Sequence, residues 1–210
     1  LEARKALCCR QVMEQKLDQL AAWGDTNTGL TGLANAANII NAASTASGGT
    51  STATANWVTS SGTVTQILTD INVMSAKVFN ASLGTFMPDT LVLPTPVFSA
   101  LATMQAITTG GIFLELSVMD YIKKTSPWIK DILHWPALDR GASGGQNSSH
   151  DRVLLMKRDP MVAELVIPQD FEQMPPELTG MKFQVPCHMR VGGVKVPYPF
   201  GITYYDGANG

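Results

Sequence analysis

The chain has 210 residues, 45% of them apolar, and a formal net charge of −2. That suffices to bury the core of one large domain or two small ones, and the lack of a basic excess argues against nucleic acid as a main partner. Only 15% of the residues are charged, against roughly 25% in ordinary soluble domains, which suits either extensive contact with other chains or a polar, uncharged exterior.

The first residue is leucine, which points to a start inside a longer gene product or after a cleavage. No run reaches the roughly 18 apolar residues that a membrane span needs, so no membrane is expected. Charges throughout residues 3–24 argue against a secretory leader. Of the three cysteines, Cys8 and Cys9 are adjacent and Cys187 is left over, a pattern that predicts reduced thiols in a cytoplasmic setting rather than a disulfide framework.

In chain order, residues 1–23 read as a helix, with Ala6, Cys9, Met13, Leu17 and Leu20 forming one apolar stripe and Gly24 ending it. Residues 25–61 are rich in Gly, Ala, Asn, Ser and Thr, include the low-complexity run 42–56, and predict an irregular connection. A strong helix is predicted over 63–80. Thr63 and Gln66 have capping-box spacing, Val64, Ile67, Leu68, Ile71, Met74 and Val78 form its apolar face, and Asn80 and Gly84 end it. A short buried strand over 89–93 follows. Thr95-Pro96 then predicts an N-cap with proline at the first helical position, in a helix whose face is Val97, Phe98, Leu101 and Met104.

Residues 112–116 form a weaker extended run, Ser117 and Asp120 cap a short helix to Lys124, and 128–135 predict a strand. Gly141 to Ser149 form a second glycine-rich loop. Strands are predicted at 152–156 and 161–167, joined around Asp159-Pro160, then a polar, proline-containing connection over 168–179.

The last quarter carries the clearest pattern. Phe183, Val185, Cys187, Met189 and Val191 alternate with polar residues. After Gly192-Gly193 the phase flips to Val194, Val196, Tyr198, Phe200 and Ile202. Period two means extended chain with one buried face. The glycines form either a two-residue hairpin turn, which pairs Val191 with Val194 and Val185 with Phe200, or a bulge in a strand that continues. With helices before residue 126 and long strands after 150, the fold class is α+β.

These pieces resemble the major capsid proteins of tailed bacteriophages, the Hong Kong ninety-seven type of fold shared with encapsulin shells. The resemblance rests on Trp23-Gly24-Asp25 with Gly29-Leu30-Thr31-Gly32-Leu33, on Pro88 to Leu93 with Thr95-Pro96, and on Ser117 to Ile122. It also rests on Asp151 to Leu155, Val162 to Pro168, and Arg190 to Val194 through Pro199. Order and spacing carry it, over nearly the whole chain. The family's N-terminal arm and extended hairpin loop, which precede its spine helix, do not occur in this sequence.

The resemblance implies a peripheral domain from 1–25 and 150–199, with a long spine helix and long antiparallel strands, and a mixed α/β axial domain from 26–149 and 200–210. It implies self-association into pentamers or hexamers of an icosahedral shell. Two loops are the candidate subunit contacts: one with Thr108, Thr109, Gly110 and Gly111, the other with Gly141, Gly144 and Gly145. It favours a bulged strand at Gly192-Gly193. It places the protein in a virion capsid assembled in the host bacterial cytoplasm. An encapsulin-like compartment shell is the nearby alternative, and a cytoplasmic α+β enzyme a more distant one.

Chemistry is sparse. His134, His150 and His188 share no metal-ligand spacing; Cys187-His188 is too short a step to chelate well. Cys8 and Cys9 read as packing residues, and Glu115 with Asp120 is a weak candidate carboxylate pair. Gly141 to Gly145 lacks the lysine of a phosphate loop, and Lys157-Arg158-Asp159 reads as a solvated turn. Lys123, Lys124 and Lys130 offer a thin footprint for weak contact with packaged DNA. No catalytic residue, cofactor or metal is expected.

Overall fold

The computed structural model describes residues 2–41, 57–58, 64–107, 113–139 and 151–206. In chain order the elements are α1 (Glu2–Trp23), β1 (Gly24–Asp25), β2 (Leu30–Thr31), β3 (Ile40–Asn41), α2 (Val64–Ala81), β4 (Thr90–Leu93), α3 (Thr95–Thr103), β5 (Gln105–Ile107), β6 (Phe113–Ser117), α4 (Val118–Thr125) and β7 (Asp131–His134). Strands complete the chain: β8 (Arg152–Met156), β9 (Glu164–Leu165), β10 (Gln169–Gln173), β11 (Glu177–Thr179), β12 (Lys182–Gln184), β13 (Cys187–Arg190), β14 (Val194–Lys195) and β15 (Ile202–Asp206). The class is α+β. The chain forms two compact units, one from Leu1–Asn35 with Glu164–Lys195, the other from Ala36–Ala163 with Val196–Gly210.

In the first unit, α1 runs to Trp23 and its predicted stripe is the half-buried one; Ala6, Cys9, Met13, Leu17 and Leu20 are partly covered while their neighbours are exposed. The helix end is closed by the chain that follows it. Gly24, at φ +72°, turns the backbone into β1, which pairs antiparallel with β2. The return brings Leu33 N–H to Ala21 C=O at 2.8 Å and Ala34 N–H to Ala22 C=O at 2.7 Å. The Asn35 side-chain amide donates to Trp23 C=O at 2.6 Å. Three carbonyls that a helix end leaves without partners are thereby satisfied.

The rest of this unit is one long two-stranded ribbon. β9 pairs with β14, β10 with β13 and β11 with β12, all antiparallel, so segment 164–179 lies along segment 182–195. The turn is Thr179-Gly180-Met181-Lys182, closed by the Thr179–Lys182 pair. Gly180, at φ +67°, sits at the first central position, where a type II′ turn takes glycine.

The predicted connection over 168–179 is therefore the partner strand of the alternating segment. Proline disguises it: Pro168, Pro175, Pro176 and Pro186 donate no N–H, so the ladder survives only as short pairings between them. At Gly192-Gly193 the strand does not turn back. Gly192 N–H donates to Val166 C=O at 2.8 Å and Val166 N–H donates to Gly193 C=O at 3.0 Å. Two residues share one partner, the hydrogen-bond pattern of a bulge. The hairpin alternative fails, since Val194 pairs with Leu165 and Arg190 with Gln169.

The second unit is built on a five-stranded mixed sheet in the order β3-β15-β8-β4-β7. β4 runs parallel to β7 and antiparallel to β8, and β15 runs antiparallel to β8 and parallel to β3. The interior strand β4 is buried along its whole length, as a strand covered on both faces must be. One face, with Leu91, Leu93, Val153, Leu155 and Tyr205, packs with Ile67, Ile71 and Met74 of α2, Val97 and Leu101 of α3, and Ile122 of α4. Trp57 joins this core fully buried. Its ring stacks on Tyr205 at 5.3 Å, and its indole N–H donates to Asp70 Oδ2 at 2.9 Å.

Several expected boundaries move. The expected division put 150–163 with the first helix, but Arg152–Met156 lies between β15 and β4 and belongs to this sheet. The strand expected over 161–167 is reduced to β9. Asp159 captures the N–H groups of Met161, through its carboxylate, and of Val162 and Ala163, through its carbonyl, and folds a turn there. The strand expected at 128–135 is confined to β7.

Thr95 is the first residue of α3 rather than its cap, and Pro94 at the cap position supplies no side-chain bond. The Thr95 N–H donates instead to Asp139 Oδ1 at 2.5 Å. Thr63 lies outside the described residues. The C-terminus of α2 closes as a Schellman motif, with Gly84 N–H to Phe79 C=O at 2.8 Å and Leu83 N–H to Asn80 C=O at 3.2 Å. Leu83 takes the left-handed position at φ +52°.

Candidate assembly surfaces

Among the described residues, no group of three or more His, Cys, Asp or Glu is placed to hold a metal ion, and no helix is long and apolar enough to cross a membrane. The titratable residues singled out in the sequence hold local structure. His134 Nε2 meets Thr95 Oγ1 at 2.9 Å, with its ring against Phe98. His188 Nε2 lies 2.7 Å from Gln169 Nε2 and 3.6 Å from Glu172 Oε2, across the β10–β13 pair. Asp120 N–H donates to Ser117 Oγ at 3.2 Å, and Ser117 Oγ donates back to Asp120 Oδ2 at 2.7 Å, a reciprocal cap on α4. His150 and the Glu115 side chain lie outside the described residues.

Lys157 Nζ is bound to Asp89 Oδ2 at 2.7 Å. Burial alone would raise the Asp89 carboxyl, but Lys157, the Arg158 N–H and the Thr90 hydroxyl outweigh it and hold it below the usual range. A shallow depression of about 310 Å³ lined by Met156 to Pro160 and Ala163 borders this pair. It brings together a chain turn rather than convergent reactive groups.

The unusual surfaces are apolar. At the ribbon tip both strands are exposed on both faces. Leu178 and Phe183 stand directly opposite each other, 69% and 71% exposed, and Met181 in the turn is wholly exposed. A two-stranded ribbon without a covering layer is marginal in water, and contiguous exposed apolar side chains mark a contact surface. In the second unit, Phe79, Leu83, Met87, Tyr198 and Phe200 are exposed, and Phe86 packs edge-on against Tyr198 at 5.3 Å. Leu83 combines 93% exposure with the left-handed backbone noted above.

The predicted contact loops lie outside the described residues: Thr108, Thr109, Gly110 and Gly111 in one, Gly141, Gly144 and Gly145 in the other. The strands flanking the first, β5 and β6, pair antiparallel. Gly192 and Gly193 sit inside the ribbon, where a methyl group added at Gly193 would come within 3.4 Å of the Thr31 C=O and the Leu30 side chain. Sequence reading missed the ribbon tip. The usable signal was Gly180-Met181 between Leu178 and Phe183, a Gly-X pair of the kind that turns a hairpin.

The family model for the major capsid protein matches residues 1–208. Among solved structures, the chain is similar to one from the capsid of Myoviridae phage XM1, with a TM-score of 0.78 and 18% identity over 99% of this chain and 65% of that one. A virus-like particle from Pyrococcus furiosus matches with a TM-score of 0.48 and 16% identity, over 71% of this chain and 52% of that one. The chain thus spans about two thirds and about half the length of these two structures. No curated protein sequence matches. With a helix closed by its own return, a long ribbon and a mixed five-stranded sheet in one α+β chain, the protein belongs to the major capsid protein family and has the Hong Kong ninety-seven type of capsid fold.

Proposed function

We propose that the chain is a structural subunit of an icosahedral phage capsid. Its work is repeated self-association around a packaged genome, and its assembly takes place in the host bacterial cytoplasm. The first compact unit is the peripheral domain and the second the axial domain, whose loops at 108–111 and 141–145 meet at the five- and six-fold axes. The observation that carries the reading is the ribbon tip. Leu178 and Phe183 stand opposite each other in register and, with Met181, are exposed, and burying such a cluster between copies drives association.

Closed shells need more than one contact surface on each subunit, and the exposed apolar surface around Leu83 supplies a second. Lys123, Lys124 and Lys130 are exposed and make only a weak contact with packaged DNA. Sedimentation and negative-stain microscopy of the purified protein test the proposal. Phe183→Asp is expected to abolish particles and higher oligomers while leaving the circular dichroism spectrum intact. A uniformly monomeric wild-type protein, or full assembly by the variant, refutes it.

A further inference from the structure

The two strands of the ribbon carry opposite charge. Segment 164–179 holds Glu164, Asp170, Glu172 and Glu177 and no Lys, Arg or His. Segment 182–195 holds Lys182, Arg190 and Lys195, with His188, and no Asp or Glu. Each of these acids, and each Lys and Arg, is exposed. Part of the charge is met inside the ribbon, where Glu164 faces Lys195 and Glu172 lies 3.6 Å from His188. Glu177, Lys182 and Arg190 have no ion-pair partner among the described residues. Among the described strands each member of the ribbon pairs on one side only, so the ribbon has two open edges, one acidic and one basic. Pro168, Pro175 and Pro176 on the first and Pro186 on the second offer no N–H, which keeps a neighbouring chain from zipping along either edge by backbone alone.

We propose that the ribbon docks beside the ribbon of a second copy with unlike strands adjacent, 164–179 of one against 182–195 of the next. This rests on the reading that the ribbon tip meets another copy, and adds which way round the two meet. A two-fold axis would bring like edges together. Carboxylates would then line both sides of the seam, or cations would, and either is destabilising. Unlike edges with the tips level put Glu177 of one copy beside Lys182 of the next. They also bring the Leu178–Phe183 pairs of the two tips into one apolar strip. Apolar burial supplies the affinity and charge sets the orientation. Such a head-to-tail contact leaves one edge of each copy unfilled, so it repeats in one direction until a ring closes.

The test uses the full chain with Phe183 intact. Wild type, Asp170→Lys with Glu177→Lys, Lys182→Glu with Arg190→Glu, and all four changes together are compared by sedimentation at low salt. Each double variant should need about tenfold more protein to assemble. The fourfold exchange restores unlike edges and should regain wild-type assembly. If the exchange folds poorly by circular dichroism, carbodiimide coupling of wild type decides, with unlabelled and heavy-nitrogen-labelled protein mixed before assembly. Mixed-isotope amide links are expected between a carboxylate of 164–177 and Lys182 or Lys195, whereas a Glu164–Lys195 link within one ribbon carries a single isotope. Double variants that assemble like wild type, a folded exchange that does not recover, or the lack of any mixed-isotope link to Lys182 or Lys195 would each overturn the docking and leave the shell reading standing. A wild type that stays monomeric overturns both.

Discussion

Replacing Gly24 and Gly29 by alanine separates two costs that usually arrive together. Both glycines have a positive φ, +72° and +71°, so each alanine incurs the same left-handed strain of about 1 kcal/mol. Their surroundings differ completely. A methyl group at Gly29 meets nothing within 4 Å, whereas at Gly24 it falls on the Leu30 carbonyl oxygen and comes within 2.8 Å of the Thr31 carbonyl carbon. Backbone cannot swing aside as a side chain does, so β1 and β2 must part.

Parting them withdraws the caps on Ala21, Ala22 and Trp23, at about 1 kcal/mol for each hydrogen bond. Gly24→Ala should therefore cost about 3 to 4 kcal/mol and Gly29→Ala about 1. The assay is native-state hydrogen exchange at the amides of Leu33 and Ala34, which donate two of those caps. Their protection should collapse in Gly24→Ala and survive in Gly29→Ala. Equal protection in both variants would refute the claim that the returning chain closes the helix.

Three further outcomes follow from positions in the second unit. Leu83→Gly relieves a left-handed leucine that packs against little, and should raise the unfolding temperature, by at most about 4 °C; a lower temperature would show that Leu83 has a packing role in the isolated chain. Burial raises the Asp70 carboxyl, even though the Trp57 indole and the Tyr205 hydroxyl donate to it. Ionised Asp70 thus costs stability at neutral pH, and the cost is recovered as pH falls through its raised value towards 3.8. Asp70→Asn should remove that recovery, and parallel urea-unfolding profiles of the two proteins between neutral pH and pH 4 would contradict it. Asp89 has the opposite sign: its stabilisation is complete above 3.8 and is lost as pH falls through its lowered value. Asp89→Asn should cost about 1 to 2 kcal/mol at neutral pH, discounted for the partial exposure of Lys157, and nothing in strong acid; a deficit that persists there would place its origin outside the ion pair.

What the sequence made legible was local. The stripe of α1, the buried face of α2, the Ser117–Asp120 cap and the run Leu91-Val92-Leu93 follow from spacing within a few residues, and each recurs in the structure. The ribbon was half visible. Alternation announces an extended strand but does not name its partner, and over 168–179 the partner carries only Phe171, Met174 and Leu178 among polar residues and prolines. The phase flip at Gly192-Gly193 fitted turn and bulge equally until the bonds to Val166 decided between them. The cap on α3 comes from Asp139, 44 positions away, beyond any local signal. The exposed tip escaped notice because Leu178, Met181 and Phe183 look like core residues until their burial is known.

The position of β15 has a consequence for how the protein is made. The strand formed by residues 202–206 is buried between β3 and β8 rather than added at an edge. While a ribosome is still translating residue 200, β8 has β4 on one side and an open edge on the other. The first unit is also split, its helix being made more than a hundred residues before its ribbon. The second unit cannot close before its last strand is made. A chain interrupted before β15 leaves the sheet of the second unit open and should remain a client of chaperones and proteases. The topology makes the whole sheet depend on the strand synthesised last among its five.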